Sequence, residues 1–132
     1  MASPVLDSFA LLVFLFKEQG YQKLVAVLDA AADNDDSALI AAPNWAEVRY
    51  IVQRKVGIDR WNAVRSSILA LPIEVVAADQ ALAEAAGALK AAKNMSLADC
   101  FAAALAQQQQ TAVYTGDREF KAVEKEVKVI WL

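Results

Sequence analysis

The sequence predicts an α/β fold in which helices cover both faces of a parallel β-sheet. Short apolar runs of strand length alternate along the whole chain with longer segments of helical periodicity. Such alternation is typical of parallel strands joined by helical crossovers, which bury the sheet on both sides. The chain has 132 residues, is 58% hydrophobic and contains no linker rich in Gly, Pro or Ser, so we expect one domain over residues 1–132.

The first half of the chain predicts two strands and four helices. Pro4 begins a buried apolar run that ends at Asp7, and apolar residues at helical spacing follow it. Pro43 suits the first turn of a helix, where a missing amide hydrogen costs nothing. After the strand before Asp7, the predicted elements are helices over about Ser8–Gly20 and Tyr21–Ala32, a strand over Ala38–Ala42, and helices over Pro43–Gly57 and Asp59–Leu69.

The second half predicts three strands and three helices. Pro72 ends the preceding helix, Asp79 caps an alanine-rich helix, and Ser96 starts the next one after a short turn. The predicted elements are a strand over Ile73–Ala77, a helix reaching Lys93, a helix from Ser96 to about Gln109, a strand over Ala112–Thr115, a short helix over about Arg118–Glu124, and a strand over Lys128–Leu132.

The composition excludes several kinds of active site. There are no histidines, which removes imidazole bases, histidine-containing triads and histidine metal sites. The single cysteine, Cys100, cannot form an internal disulfide, and its apolar neighbours favour a buried, unreactive thiol. No segment is long and apolar enough to cross a bilayer. Together these features predict a cytoplasmic protein with no membrane partner.

The net charge of −3 gives no overall attraction to nucleic acid, but the charge is unevenly distributed. Residues 49–65 contain five basic residues and one acidic residue. Within this segment, Arg49, Arg54 and Lys55 are candidates for contacting an RNA backbone. The alternative is that they form an ordinary solvated helix face.

Four acidic residues are the strongest candidates for a functional site: Asp7, Glu47, Asp99 and Asp117. All four stand at predicted helix starts, and the first and last directly follow apolar runs. Strand ends and helix starts share one edge of a doubly wound sheet, so these side chains are expected to meet there. Carboxylates gathered without a cation repel one another, and a bound divalent metal relieves that repulsion. Ligands that are all oxygen favour Mg²⁺ or Mn²⁺.

Each of these acids also has a purely structural interpretation as a helix cap. Asn44 with Glu47, and Ser96 with Asp99, have the spacing of a capping box, and the other two acids can each cap the helix that follows. Capping places acids at helix starts, so it is compatible with a metal site at the same edge. Asp79 is the useful comparison, because it caps a helix after a strand that could lie at the margin of the sheet.

These residues resemble the PIN-domain nuclease family, and in particular its VapC-type toxin ribonucleases. The resemblance spans nearly the whole chain in the order of the family's motifs. The spacing of Ser-Leu-Ala-Asp and Thr-Gly-Asp-x-x-Phe is its most specific part. The matching segments are Val5–Ser8, Asn44–Val48, Met95–Cys100, Val113–Phe120 and Val127–Leu132. The sequence departs from the pattern at Phe9, where the family usually has a small or polar residue.

The resemblance implies a three-layer α/β/α sandwich around a five-stranded parallel sheet of order 3-2-1-4-5. It implies an RNA-cleaving enzyme whose Mg²⁺ or Mn²⁺ is held by the acids at Asp7, Glu47, Asp99 and Asp117. It also implies a homodimer and a small antitoxin partner. Supporting roles fall to residues that match polar positions near the family's site, namely Ser8, Asn44, Thr115 and Glu119.

Two other functions are considered. One is a binding module that keeps the PIN fold without catalysis, and Phe9 is the feature that favours it. The other is a receiver-type phosphoacceptor domain, which would use an aspartate after the third strand, here Asp79. Manganese uptake separates the first alternative from a nuclease, and labelling of Asp79 by acetyl phosphate would support the second.

Overall fold

The computed structural model describes residues 3–132 and contains one parallel β-sheet. Met1 and Ala2, which belong to the predicted domain, lie outside the described residues. The strand order is β3-β2-β1-β4-β5, which confirms the order 3-2-1-4-5. The strands are β1 (Val5–Leu6), β2 (Ala38–Ala41), β3 (Ile73–Val76), β4 (Val113–Thr115) and β5 (Val129–Trp131).

Helices join the strands as crossover connections. All strand pairs are parallel, so every connection must return to the same end of the sheet. The helices are α1 (Ser8–Leu15), α2 (Tyr21–Asp33), α3 (Ala42–Val56), α4 (Ile58–Leu69), α5 (Gln80–Ala92) and α6 (Leu97–Gln109), with a 3₁₀ helix at Arg118–Val123. Among residues 3–132, no helix is both long and apolar enough to pass through a bilayer.

Two hydrophobic clusters, one on each face of the sheet, hold the layers together. On one face, α5 and α6 bury side chains such as Leu82 and Leu105 against the sheet. On the other face, α1 to α4 bury a cluster that includes Leu11, Leu24 and Trp61. Successive strand residues face opposite clusters, which explains why most strand residues are apolar; Glu74 in β3 is an exposed exception. These layers confirm the predicted α/β/α sandwich.

The pairing of β1 with β4 positions the edge where the acids lie. Val5 is level with Val113, and Leu6 is level with Tyr114. Continuing this register by one residue brings Asp7 alongside Thr115. Both strands run in the same direction, so the residues that follow them emerge at the same edge of the sheet. Residues more than 100 positions apart in sequence therefore become neighbours.

Two local predictions were wrong. α1 ends at Leu15 rather than near Gly20, because Lys17 adopts a left-handed conformation and Glu18 N–H donates to the Val13 carbonyl, as in a Schellman ending. The capping box of Asn44 and Glu47 does not form. Instead, α3 begins at Ala42 directly after β2, so both residues lie inside the helix. The short helix predicted after β4 is confirmed, and it is a 3₁₀ helix.

Candidate metal-binding site

Asp7 lies at the centre of the carboxyl edge of the sheet and is fully buried. Its Oδ1 accepts a hydrogen bond from Ala10 N–H at 2.8 Å and so caps α1, as predicted. Its Oδ2 accepts a short hydrogen bond from Thr115 Oγ1, which follows from the β1–β4 register. Thr115 in turn accepts from Asp117 N–H at 2.9 Å. The threonine hydroxyl therefore links the first acid to the loop that carries the last.

Glu47 reaches the same region from α3. It accepts a hydrogen bond from Ser8 Oγ, the residue that directly follows Asp7. Asn44 lies one turn earlier on α3, fully buried, and its Nδ2 donates to the carbonyl oxygen of Ala98 at 3.1 Å. The Oδ1 of Asn44 is buried without a hydrogen-bond partner in the described chain. These contacts join α3 to the starts of α1 and α6.

Asp99, Asp117 and Glu119 form the tightest group of carboxylates. One oxygen from each lies within 4.8 Å of the others. Ser96 Oγ accepts from Asp99 N–H at 3.2 Å, and Asp117 caps the 3₁₀ helix by accepting from Glu119 N–H at 2.9 Å. Glu119 Oε1 accepts from Ser96 N–H at 2.6 Å, which ties the 3₁₀ helix to the start of α6. We refer to these three residues with Asp7 and Glu47 as the acidic cluster.

Burial and the repulsion between neighbouring acids disfavour the charged forms of Asp7 and Asp99. Burial, together with the charges of Asp117 and Glu47, raises the pKa of Asp7 to about 7, despite the hydrogen bonds from Thr115 and Ala10. Burial, followed by the charges of Asp117 and Asp7, raises the pKa of Asp99 to about 8. The neighbouring charges that raise these two pKa values belong to acidic side chains. Within residues 3–132, the one ion pair joins Lys93 to Glu126 and includes none of the acids of the cluster.

This donor set fits a hard divalent cation. Every available ligand is an oxygen, and three carboxylates are close enough for one ion to contact all of them. A cation would also relieve the repulsion that raises the pKa values of Asp7 and Asp99. The tight group contains Glu119, which the sequence suggested only as a supporting residue, whereas Asp7 and Glu47 stand beside that group.

The three basic residues proposed to bind RNA lie further along α3, beyond the acidic cluster. Arg54 and Lys55 are in the last turn of the helix, about 10 Å or more along the axis from Glu47. Each contacts an aromatic ring of the protein: Arg54 stacks over Tyr50 at 4.9 Å and Lys55 over Phe16 at 4.2 Å. Arg49 approaches the Trp61 ring at 5.9 Å. Their role in RNA binding stays a prediction.

One feature at the edge of the site was not foreseen, namely the contact between Phe9 and Gly116. A Cβ atom on Gly116 would lie 2.3 Å from Cε1 of Phe9, so only glycine allows the ring to pack there. Phe9 is nevertheless 43% exposed. Gly116 stands between the last residue of β4 and an acid of the cluster, and a glycine at that position is the signal of a close contact. The spacing along the chain does not identify Phe9 as its partner.

The family model of the PIN domain matches residues 5–126, which is nearly the whole chain. The protein belongs to the PIN domain family. The resemblance drawn from its motifs is therefore confirmed. No relative of this PIN domain is found among curated protein sequences.

Several solved structures share this fold, and one of them is described as a toxin–antitoxin complex from Klebsiella pneumoniae. The PIN domain matches a chain of VapBC2 from Rickettsia felis bound to a promoter DNA fragment, with 15% identity, 98% coverage of both chains and a TM-score of 0.76. It matches DNA-bound VapBC from Salmonella typhimurium with 18% identity, 98% coverage of both chains and the same TM-score. It also matches VapC20 of Mycobacterium tuberculosis, described as a sarcin–ricin loop cleaving toxin, with 16% identity, 92% and 95% coverage and a TM-score of 0.67. At these identities the likeness establishes the shared fold.

Proposed function

We propose that the protein is a ribonuclease that requires Mg²⁺ or Mn²⁺ and hydrolyses RNA phosphodiester bonds. The observation that carries this proposal is the acidic cluster, where five carboxylates lie at one edge of the sheet and none of them is in an ion pair among residues 3–132. Such a site suits a phosphate-containing substrate that binds together with a divalent metal. A fold relative described as a sarcin–ricin loop cleaving toxin supports RNA as the substrate.

Asp99, Asp117 and Glu119 would hold the ion, with Asp7 and Glu47 as further carboxylates beside it. When bound, the ion would lower the pKa of water, so that hydroxide would be available to attack phosphorus at neutral pH. It would also offset negative charge on the phosphate oxygens. The protein's own groups keep this arrangement in place. Thr115 fixes the carboxylate of Asp7, Ser8 holds that of Glu47, and Ser96 fixes the backbone at Asp99. These hydrogen bonds orient the acids before any ligand arrives.

The test is cleavage of a pool of labelled RNAs by purified protein in Mn²⁺ or Mg²⁺, with EDTA as the blank. Asp99→Asn and Asp117→Asn should each lower the rate by about 100-fold or more, the scale of losing one preorganised electrostatic group. Asp79→Asn is the matched control. Asp79 also caps a helix, accepting from Leu82 N–H at 2.9 Å, but it follows β3 at the margin of the sheet.

Two outcomes would contradict the proposal. The first is wild-type protein that leaves every RNA intact with either ion. The second is Asp99→Asn protein that cleaves as fast as wild type. If calorimetric titration also showed no uptake of Mn²⁺, the non-catalytic binding module would become the better description. The receiver-type alternative is not supported, because β3 lies two strands away from β1, which places Asp79 away from Asp7.

We further propose that this ribonuclease is a toxin controlled by a small antitoxin and that it forms a homodimer. The support is the fold shared with a chain of a structure described as a toxin–antitoxin complex and with a protein described as a toxin. Co-expression with the product of the adjacent gene should give a stable complex with suppressed RNA cleavage. Light scattering on the isolated protein should give twice the mass of the 14.3 kDa chain. A monomer of unaltered activity in the presence of that product would oppose both statements.

A further inference from the structure

Phe9 and the cavity beside it form a second surface at the edge of the acidic cluster. Phe9 follows the Asp7–Ser8 pair directly, and its ring packs against Gly116, the residue before Asp117. Phe9 therefore belongs to the segment that follows β1, and its ring contacts the segment that follows β4. Each of these segments supplies an acid to the cluster. One edge of the ring is fixed by the glycine backbone, and much of the remaining surface is open to solvent.

The cavity next to this ring has a volume of about 280 Å³. It is lined by the apolar side chains of Phe9, Val13 and Leu132, together with Gly116. The exposed residues Glu18 and Gln19 give it a polar rim. A small cavity with one aromatic wall and polar groups at its rim has the character of a site for a flat, partly polar ring.

We propose that this cavity is a nucleobase subsite in which a base next to the scissile phosphate stacks on Phe9. The proposal rests on the RNA-cleaving function proposed above. The geometry favours RNA because a base lies within one nucleotide of its own phosphate. Phe9 follows Asp7 by two residues, and its ring packs against Gly116, the residue directly before Asp117. Stacking on an aromatic side chain is the main way proteins bind unpaired bases. The polar rim can pair with the edge of the base.

The experiment measures kcat/KM on a short RNA whose cut site has been mapped, and on the same RNA made abasic at one nucleotide flanking that site. For wild type, the better-placed abasic substitution should lower kcat/KM by about 5- to 100-fold, the range observed for the loss of one stacked base. Phe9→Ala should cause a loss of similar size on the intact RNA but should show no further loss on the abasic RNA. Phe9→Trp should retain the wild-type pattern.

Leu69→Ala is the matched control. Leu69 is also 43% exposed, but it lies at the end of α4 just before β3, at the opposite edge of the sheet. It should leave both substrates unaffected. Thermal melts of each variant would exclude misfolding, and the wild-type comparison of intact and abasic RNA needs no variant.

The outcomes separate this inference from the function on which it depends. If wild type neither binds nor cleaves RNA, both are wrong. If wild type cleaves RNA but abasic sites on either side have no effect, or if Phe9→Ala and wild type lose equally on abasic RNA, only the subsite is wrong. If only the subsite is wrong, the exposed Phe9 ring would be better tested as a contact for a protein partner.

Discussion

Replacing Asp7 by asparagine should stabilise the metal-free protein at alkaline pH. The carboxyl group is fully buried, and its pKa is raised from 3.8 to about 7. A carboxyl with a higher pKa in the folded state binds more protons folded than unfolded, so stability falls as pH rises between about 4 and 7. Above that window the loss is complete and constant. A shift of about three units corresponds to a cost of about 4 kcal/mol at pH 8.

Asparagine removes the titration while keeping most of the contacts. Its Oδ1 can still accept from Ala10 N–H and cap α1. Its amide would face Thr115, whose hydroxyl can accept as well as donate. The asparagine has its own burial cost, but that cost does not change with pH. The stability difference between variant and wild type should therefore be about 2–3 kcal/mol larger at pH 8 than at pH 5.

Urea denaturation in EDTA at both pH values measures this difference by linear extrapolation. Asp36→Asn is the control with the opposite sign. Hydrogen bonds from Ser3 and from Ser37 N–H lower the pKa of Asp36, so its replacement should give no gain at pH 8. A stability difference between Asp7→Asn and wild type that stayed the same at pH 5 and pH 8 would refute the reasoning. It would mean that folding does not raise the pKa of the Asp7 carboxyl.

Three further predictions concern the metal, the glycines and a cap. Mn²⁺ at about 100 times its Kd should stabilise wild type by about 2.7 kcal/mol, and calorimetry should show this gain largely lost in Asp117→Asn. Gly116→Val should lower the melting temperature, because its Cβ would lie 2.3 Å from the Phe9 ring. Gly87→Ala lies in α5 with no atom within 4 Å of the added Cβ, so it should stabilise the protein by about 0.5–1 kcal/mol. A lower melting temperature for both variants would contradict this prediction. Asp79→Ala should cost about 1 kcal/mol in urea melts without slowing RNA cleavage.

The fold could be predicted because its signals are local and repeated. Each strand is an apolar run flanked by turn or capping residues, and Asp7, Asp79, Ser96 and Asp117 do cap the helices that follow them. The capping box at Asn44 failed because tertiary contacts override local propensity. α3 starts directly from the end of β2, so the amide lies inside the helix and bonds across to Ala98.

The candidate site was predictable in composition and less so in arrangement. Topology alone brings Asp7 and Asp117 to one edge, since β1 and β4 are neighbours. Distances depend on side-chain geometry that spacing does not encode, which is why Glu119 enters the tight carboxylate group and Glu47 bonds to Ser8 instead. The Phe9–Gly116 contact joins residues over 100 positions apart, so the position of Gly116 in the sequence does not identify its partner.

The adjacency of β1 and β4 also determines when the acidic cluster can exist during folding. β1, which precedes Asp7, pairs with β4, a strand that is synthesised more than 100 residues later. The carboxylates of Asp117 and Glu119 follow β4 in the sequence. Pairings between such distant segments form slowly because a long loop must close first. A nascent chain on the ribosome therefore carries no complete acidic cluster until residues beyond 119 have emerged, so translation itself delays any RNA-cleaving activity.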